Sequence, residues 1–265
     1  MLRPDNTDKT DTLLHYMKGF EPFSKTFQDL VKGSKAWCPF TRAKIDTTHY
    51  RAHPTIRSLL NWIDSYMLRC KFLDANSYTI ESMLEILNAL SNPEQLEYSK
   101  EFQNKLKELQ HHINFITPDL TQKLSRLSCS EMIRLDESLV CFKNHCYHAG
   151  VTMAVSAVEN RIIELIKRTD RRLYLSTFEK MTLGQLIQVF DGGQYTDKKY
   201  AKVKRLLPTK HKPLVMLLNQ YRIFSAHPKE ESISRQISES ILHLSFAFML
   251  DPKTCPYKKN ELKCA

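Results

Sequence analysis

Glycine is scarce, with 6 in 265 residues. With no low-complexity tract either, long flexible linkers are not expected. No run of about 18 apolar residues occurs, so no membrane span is expected. Asp5, Asp8, Lys9 and Asp11 interrupt the first residues, and no signal-peptide core is expected there. The seven cysteines are scattered and odd in number. They fit a reducing cytoplasm better than a disulfide framework. No Gly-rich phosphate loop, nucleophile elbow or paired-carboxylate motif stands out. No stretch alternates with the period of a strand.

What is present is charge and helical periodicity. The formal net charge of +10 points to a polyanionic partner, nucleic acid first. The bland alternative is a protein that merely happens to be basic. Periodic apolar residues predict helices almost throughout. Leu13, Leu14, Met17 and Phe20 suggest a first helix; Phe23, Phe27, Leu30 and Val31 suggest a second, with Gly19 and Pro22 between them. The region of Trp37, Pro39 and Phe40 reads as a packed loop. Ile56, Leu59, Leu60, Ile63 and Met67 share one helical face. A helix over about 79–90 carries Met83, Leu84, Leu87 and Leu90. After Asn92-Pro93, a helix with Phe102, Leu106, Leu109, Ile113 and Ile116 follows, with Glu101 and Lys105 paired on its polar face. Thr117-Pro118 is expected to end it, with a short helix of Leu120, Leu124 and Leu127 beyond.

The second half predicts a helix from Ser130-Glu131 with a Met132, Leu135, Leu139, Phe142 stripe, broken at Asn144. The most regular helix covers about 145–168, with Val151, Val155, Val158, Ile162 and Leu165 on one face. Its small residues Ala149, Gly150, Ala154 and Ala157 permit close helix approach. A short helix over Leu183 to Phe190, an Asp191-Gly192-Gly193 turn and a basic helix over about 197–207 come next. A helix after Pro213 carries Leu214, Leu217, Leu218 and Tyr221, and a last one spans about 232–250. Its stripe is Ile233, Ile237, Ile241, Leu244 and Phe248. The expected division is an N-terminal helical region 1–127, a helical bundle 128–252 and a basic tail 253–265.

Three stretches could carry chemistry. The first is QYRIFSAHPKE, residues 220–230, which holds Arg222 and His227. Pro228 disfavours helical geometry at His227, so the helix should end near Ala226 with the imidazole at its rim. A His that gives and takes a proton beside a permanent cation suits phosphodiester cleavage. Taken alone, the spacing is a weak signal and favours a plain capping His. The second is KKYAKVKRLLPTKHK, residues 198–212. Lys198, Lys199, Lys202, Lys204, Arg205, Lys210 and Lys212 alternate with apolar residues and could hold RNA phosphates, or form a solvated basic face. Arg168, Arg171 and Arg172 are a smaller cluster with the same two readings. The third is CFKNHCYH, residues 141–148. Cys141, His145 and His148 would share a face of a continuous helix, but no second pair completes a zinc set, so no metal is expected.

Residues from about 130 to 250 resemble the HEPN domain superfamily. YHAGVTMAVSAVENRIIELIK (147–167), MTLGQLIQVF (181–190) and LNQYRIFSAHPKEESISRQISESILHLSFAFML (218–250) carry the resemblance, in the family's order. It implies an all-α bundle, a homodimer, and metal-independent RNA cleavage in a defence or toxin system, with no cofactor. It assigns phosphate stabilisation to Arg222 and proton transfer to His227. Glu159 would orient Arg222, or make an ordinary ion pair. The residue after the Arg is usually polar in active members and here is Ile223. That keeps open a non-catalytic module that binds RNA or a partner protein, including an inhibitory one.

Overall fold

The computed structural model describes residues 54–73, 77–91, 99–191, 195, 197–226 and 232–257. The helices expected before residue 50, the loop near Trp37 and the Gly192-Gly193 turn lie outside them. The chain forms two compact units, residues 1–122 and 123–265. Every regular element among the described residues is a helix, with no strand.

The first unit contains α1 (Pro54–Phe72), α2 (Ser77–Ser91) and most of α3 (Ser99–Leu124). α1 buries Ile63, Tyr66, Met67 and Cys70, at the three- and four-residue steps of one helical face. α2 buries Thr79, Met83 and Ile86, while Leu84 is 43% exposed, so its inner face is rotated from the expected stripe. α3 does not stop at Thr117-Pro118: it runs on to Leu124 with Pro118 inside. The reason is the apolar stripe, which continues without a step as Leu109, Ile113, Ile116, Leu120 and Leu124, all buried. Asn114, whose carbonyl loses its amide partner to Pro118, is exposed, as Pro118 is, so water can satisfy it. The expected short helix is therefore the last part of α3. Lys105 pairs with Glu108 at 2.9 Å, and the expected Glu101 pair lies outside the described side chains.

The second unit is built around α5 (Tyr147–Thr169), which packs against α4 (Cys129–Lys143), α7 (Lys212–Ala226) and α8 (Arg235–Leu250); α6 (Leu183–Asp191) packs on α7. Met132, Leu135, Leu139 and Phe142 of α4 are buried, as the stripe implied. So are Gly150, Val151, Ala154, Val155, Ala157, Val158 and Ile162 of α5. A Cβ on Gly150 would stand 3.1 Å from the Ser138 carbonyl oxygen, so only glycine lets these two helices approach so closely. α4 stops at Asn144, but the left-handed residue is His145, with φ 62°. The basic stretch is not one helix: it forms a 3₁₀ turn, Lys198–Tyr200, and a single α turn, Ala201–Lys204. A segment this short gains few bonds for the cost of nucleation, and burial of Tyr200, Val203 and Leu207 holds it instead. α8 begins at Arg235, three residues late, because the Ser234 hydroxyl accepts from the Ile237 amide and caps it there. Cys129 is disulfide-bonded, whereas Cys70, Cys141, Cys146 and Cys255 are free; the scattered spacing gave no sign of that bond.

One buried ion pair ties the unit together. Glu131 and Arg161 are both fully buried. Arg161 Nε donates to Glu131 Oε1 at 2.7 Å and Nη2 to Oε2 at 2.8 Å, a two-pronged pair. The other guanidinium hydrogens go to the carbonyls of Arg126 (2.8 Å), Met249 (3.1 Å) and Thr254 (3.3 Å), so all five are used. Glu131 also closes a capping box, accepting the Ser128 amide at 2.7 Å while its own amide donates to Ser128 Oγ. Tyr257 donates to Glu131 Oε1 and its ring lies against Arg161. The same cluster satisfies the last turn of α8: Thr254 donates to the Phe248 carbonyl, Arg161 to that of Met249 and Arg126 to that of Leu250. Replacing one partner leaves an uncompensated charge in the core. Arg161→Ala or Glu131→Ala is expected to lower unfolding free energy by about 3–5 kcal/mol, read by chemical denaturation. A loss below about 1 kcal/mol would show that the pair is not essential to this packing.

Candidate functional site

α7 presents Arg222 to α5, and there Glu159 meets it. Arg222 Nη1 donates to Glu159 Oε2 at 3.3 Å, with the two side chains 29% and 22% exposed. The expected contact is therefore present. Arg222 Nε is buried and makes no hydrogen bond. An unmet buried donor costs roughly 1–3 kcal/mol, so this guanidinium is not fully satisfied by its packing. Asn219, one turn earlier on the same face of α7, has a second buried atom without a partner, Oδ1. A Cβ on Gly184 of α6 would stand 3.3 Å from Asn219 Nδ2, which gives the glycine of MTLGQLIQVF a packing reason. Val215 and Leu218 face inward and fix the rotation of α7. His227 lies just past Ala226, outside the described residues.

Ile223 is 48% exposed, and it is not alone. Met216, Leu217 and Phe224 are also exposed on α7; seven-residue spacings align Met216 with Ile223 and Leu217 with Phe224, on the outer side of the helix, away from Val215, Leu218 and Arg222. Exposed apolar residues gathered on one side of a helix, here divided by the exposed Gln220, can mark an interaction site.

The basic residues divide into two groups. Lys212 Nζ donates to the Phe190 carbonyl at 2.7 Å and so joins α6 to α7. Lys210 bridges to Asp251, which also meets His211 Nε2 at 2.9 Å. Lys199 pairs with Asp197 at 3.6 Å and lies over the Tyr200 ring. Lys198, Lys202 and Arg205 are exposed, Lys204 is half-buried, and their apolar neighbours are buried beneath them. That arrangement suits an anion-binding surface with a fixed base. In the second cluster, Arg168 donates to the Pro256 carbonyl at 3.2 Å and stacks on Tyr257, while Arg171 and Arg172 are exposed.

Cys141, His145 and His148 do not assemble as metal ligands; among the described residues, no cluster of His, Cys, Asp or Glu suited to a metal occurs. His145 instead bonds Tyr147 through Nδ1 at 2.8 Å, and His148 Nε2 accepts the Ile233 amide at 3.3 Å. No described helix is long and apolar enough to cross a membrane. No protein-family model, curated protein or solved structure matches this chain.

Asn219, Gly184, Glu131 and Arg161 were not singled out from sequence. Ser128-x-x-Glu131 is a capping-box pattern, and Arg161 falls three residues after Val158 on a stripe that is otherwise apolar, so both signals were there to read. Asn219 and Gly184 have no such local mark.

Burial works to raise the Asp251 carboxyl pKa, but hydrogen bonds from Lys210, the Lys253 amide and His211 outweigh it and hold the group well below its ordinary range. A depressed carboxylate contributes stability above its unfolded-state pKa, near 4, and loses it as pH falls through the folded value. The parent protein should thus lose more stability than Asp251→Asn between about pH 4 and pH 2, followed by thermal melting. Equal acid sensitivity in both proteins would remove Asp251 from this role.

Proposed function

We propose that the chain is a metal-independent endoribonuclease of HEPN type, acting in a defence or toxin system. The observation that carries the reading is Arg222, anchored through one nitrogen by Glu159 and left with a buried, unused donor beside it. A guanidinium fixed in this way offers planar, paired donors to a phosphate and offsets charge that grows on its oxygens. His227 follows five residues later in the chain. In this reading its imidazole takes the proton from a ribose 2′-hydroxyl or returns one to the departing 5′-oxygen, and a cyclic phosphate forms. The free cations Lys198, Lys202, Lys204 and Arg205 hold the RNA backbone. Lys199, Lys210 and Lys212, already engaged within the fold, add less.

A single Arg222/His227 pair supplies one titratable group, whereas cleavage benefits from both a base and an acid. A homodimer that brings the pairs together supplies both, and the exposed apolar residues Met216, Leu217, Ile223 and Phe224 on the outer side of α7 offer a surface for association. The same surface, with Ile223 following the Arg, favours the second reading: a non-catalytic module that binds RNA or a partner protein.

Purified protein is incubated with RNA in EDTA. Cleavage is expected in the parent, reduced about 10²–10⁴-fold in His227→Ala with unchanged melting. No cleavage by the parent would favour the non-catalytic module, and full activity in the variant would remove His227 from the chemistry. RNA affinity measured against salt gives a further check. Lys202→Ala with Arg205→Ala should flatten the slope of log affinity against log salt by about two units. An unchanged slope would make that surface a solvated face only.

A further inference from the structure

We propose that Cys141 and Cys146 are a redox-sensitive thiol pair that closes reversibly into a disulfide across the turn between α4 and α5. The turn supplies the geometry. The Cys146 amide donates to the Cys141 carbonyl at 2.8 Å, and the His145 amide to the Phe142 carbonyl at 3.1 Å. With His145 in the left-handed region, this is the paired ending in which the third-last helical residue meets the second residue past the cap. Those two positions usually carry apolar side chains in contact. Here both are cysteines, and both are free. A backbone bond between them keeps their Cα atoms within the span of about 4.4–6.8 Å that a disulfide bridges.

Access and chemistry differ between the two thiols. Cys146 is exposed, and Cys141 is half-buried. Burial, the neighbouring Cys146 and Glu137 all raise the Cys141 thiol pKa, so Cys146 reacts first. Its thiolate attacks oxidised glutathione and expels one glutathione thiolate, leaving a mixed disulfide. Cys141, once deprotonated, attacks Cys146 Sγ and expels the second. Two thiols give up two protons and two electrons, and one oxidised glutathione becomes two reduced molecules. Reduced glutathione in excess reverses both steps. The closed pair also stiffens the turn that carries His148, on which the Ile233 amide is anchored at 3.3 Å.

The full chain is equilibrated in glutathione buffers of graded ratio, quenched with acid, alkylated and mapped by peptide mass spectrometry. Cys141 and Cys146 should lose alkylation together, joined to each other, and regain it when the ratio is reversed. Cys146→Ser should leave Cys141 reduced, and Cys141→Ser should stop at a glutathione adduct on Cys146. The proposal is overturned if both thiols stay alkylated at every ratio in the parent chain. A glutathione adduct that persists there, or linkage of either residue to Cys129 or Cys255, overturns it as well.

Discussion

The second unit depends on keeping Arg161 charged and fully satisfied in a place without water. An unpaired guanidinium there would cost several kcal/mol, far more than any surface ion pair returns. The surroundings therefore have little freedom. Glu131 must stand at the start of α4, which the Ser128 capping box secures. The carbonyls of Arg126, Met249 and Thr254 must converge from three separate stretches of chain. The end of α3, the start of α4, the end of α8 and the segment to Tyr257 are registered against α5 by this one cation. A hydrophobic cluster would tolerate sliding; five directed hydrogen bonds do not.

Two positions before Arg161 stands Glu159, and two residues turn a helix by about 200°. One side of α5 thus holds the packing together, and the other meets Arg222 of α7. The contrast between these two Arg–Glu pairs is informative. At Arg161 every donor is used and exposure is zero. At Arg222 one contact is made at 3.3 Å, a buried nitrogen is left over, and a quarter or so of each side chain meets solvent. The first arrangement is what stability requires. The second is poor as a structural device, since a partly exposed pair contributes only about 0–1 kcal/mol.

The sequence made most of this helical order legible where periodicity spoke alone. The stripes of α4 and α5 are buried almost as read, and the close approach at Gly150 follows from its small residues. Local rules failed where burial overruled them. Pro118 normally marks an ending, but an unbroken apolar face carries α3 past it. Asn144 was read as the break because asparagine tolerates left-handed backbone, yet the chain places that conformation on His145, where the two closing hydrogen bonds demand it. The Arg222–Glu159 contact was legible through resemblance, not spacing. Asn219 and Gly184 were not, because their meeting joins two helices that no local pattern relates. The basic run misled in another way: charge counts do not reveal which lysines are already spent on Asp251 or on the Phe190 carbonyl.

α7 carries three different faces on four turns. Val215 and Leu218 bury against the rest of the unit, Asn219 and Arg222 keep unused polar atoms, and Met216, Leu217, Ile223 and Phe224 stay exposed. A helix that needed only to pack would put polar residues on its outer face. A helix that only held a phosphate would have no use for isoleucine and phenylalanine on its outer side. Apolar residues on the outer side of α7 do make sense if another surface packs over them. The outer apolar residues and the inward cation are then separate features of one helix, and Ile223 belongs with the first.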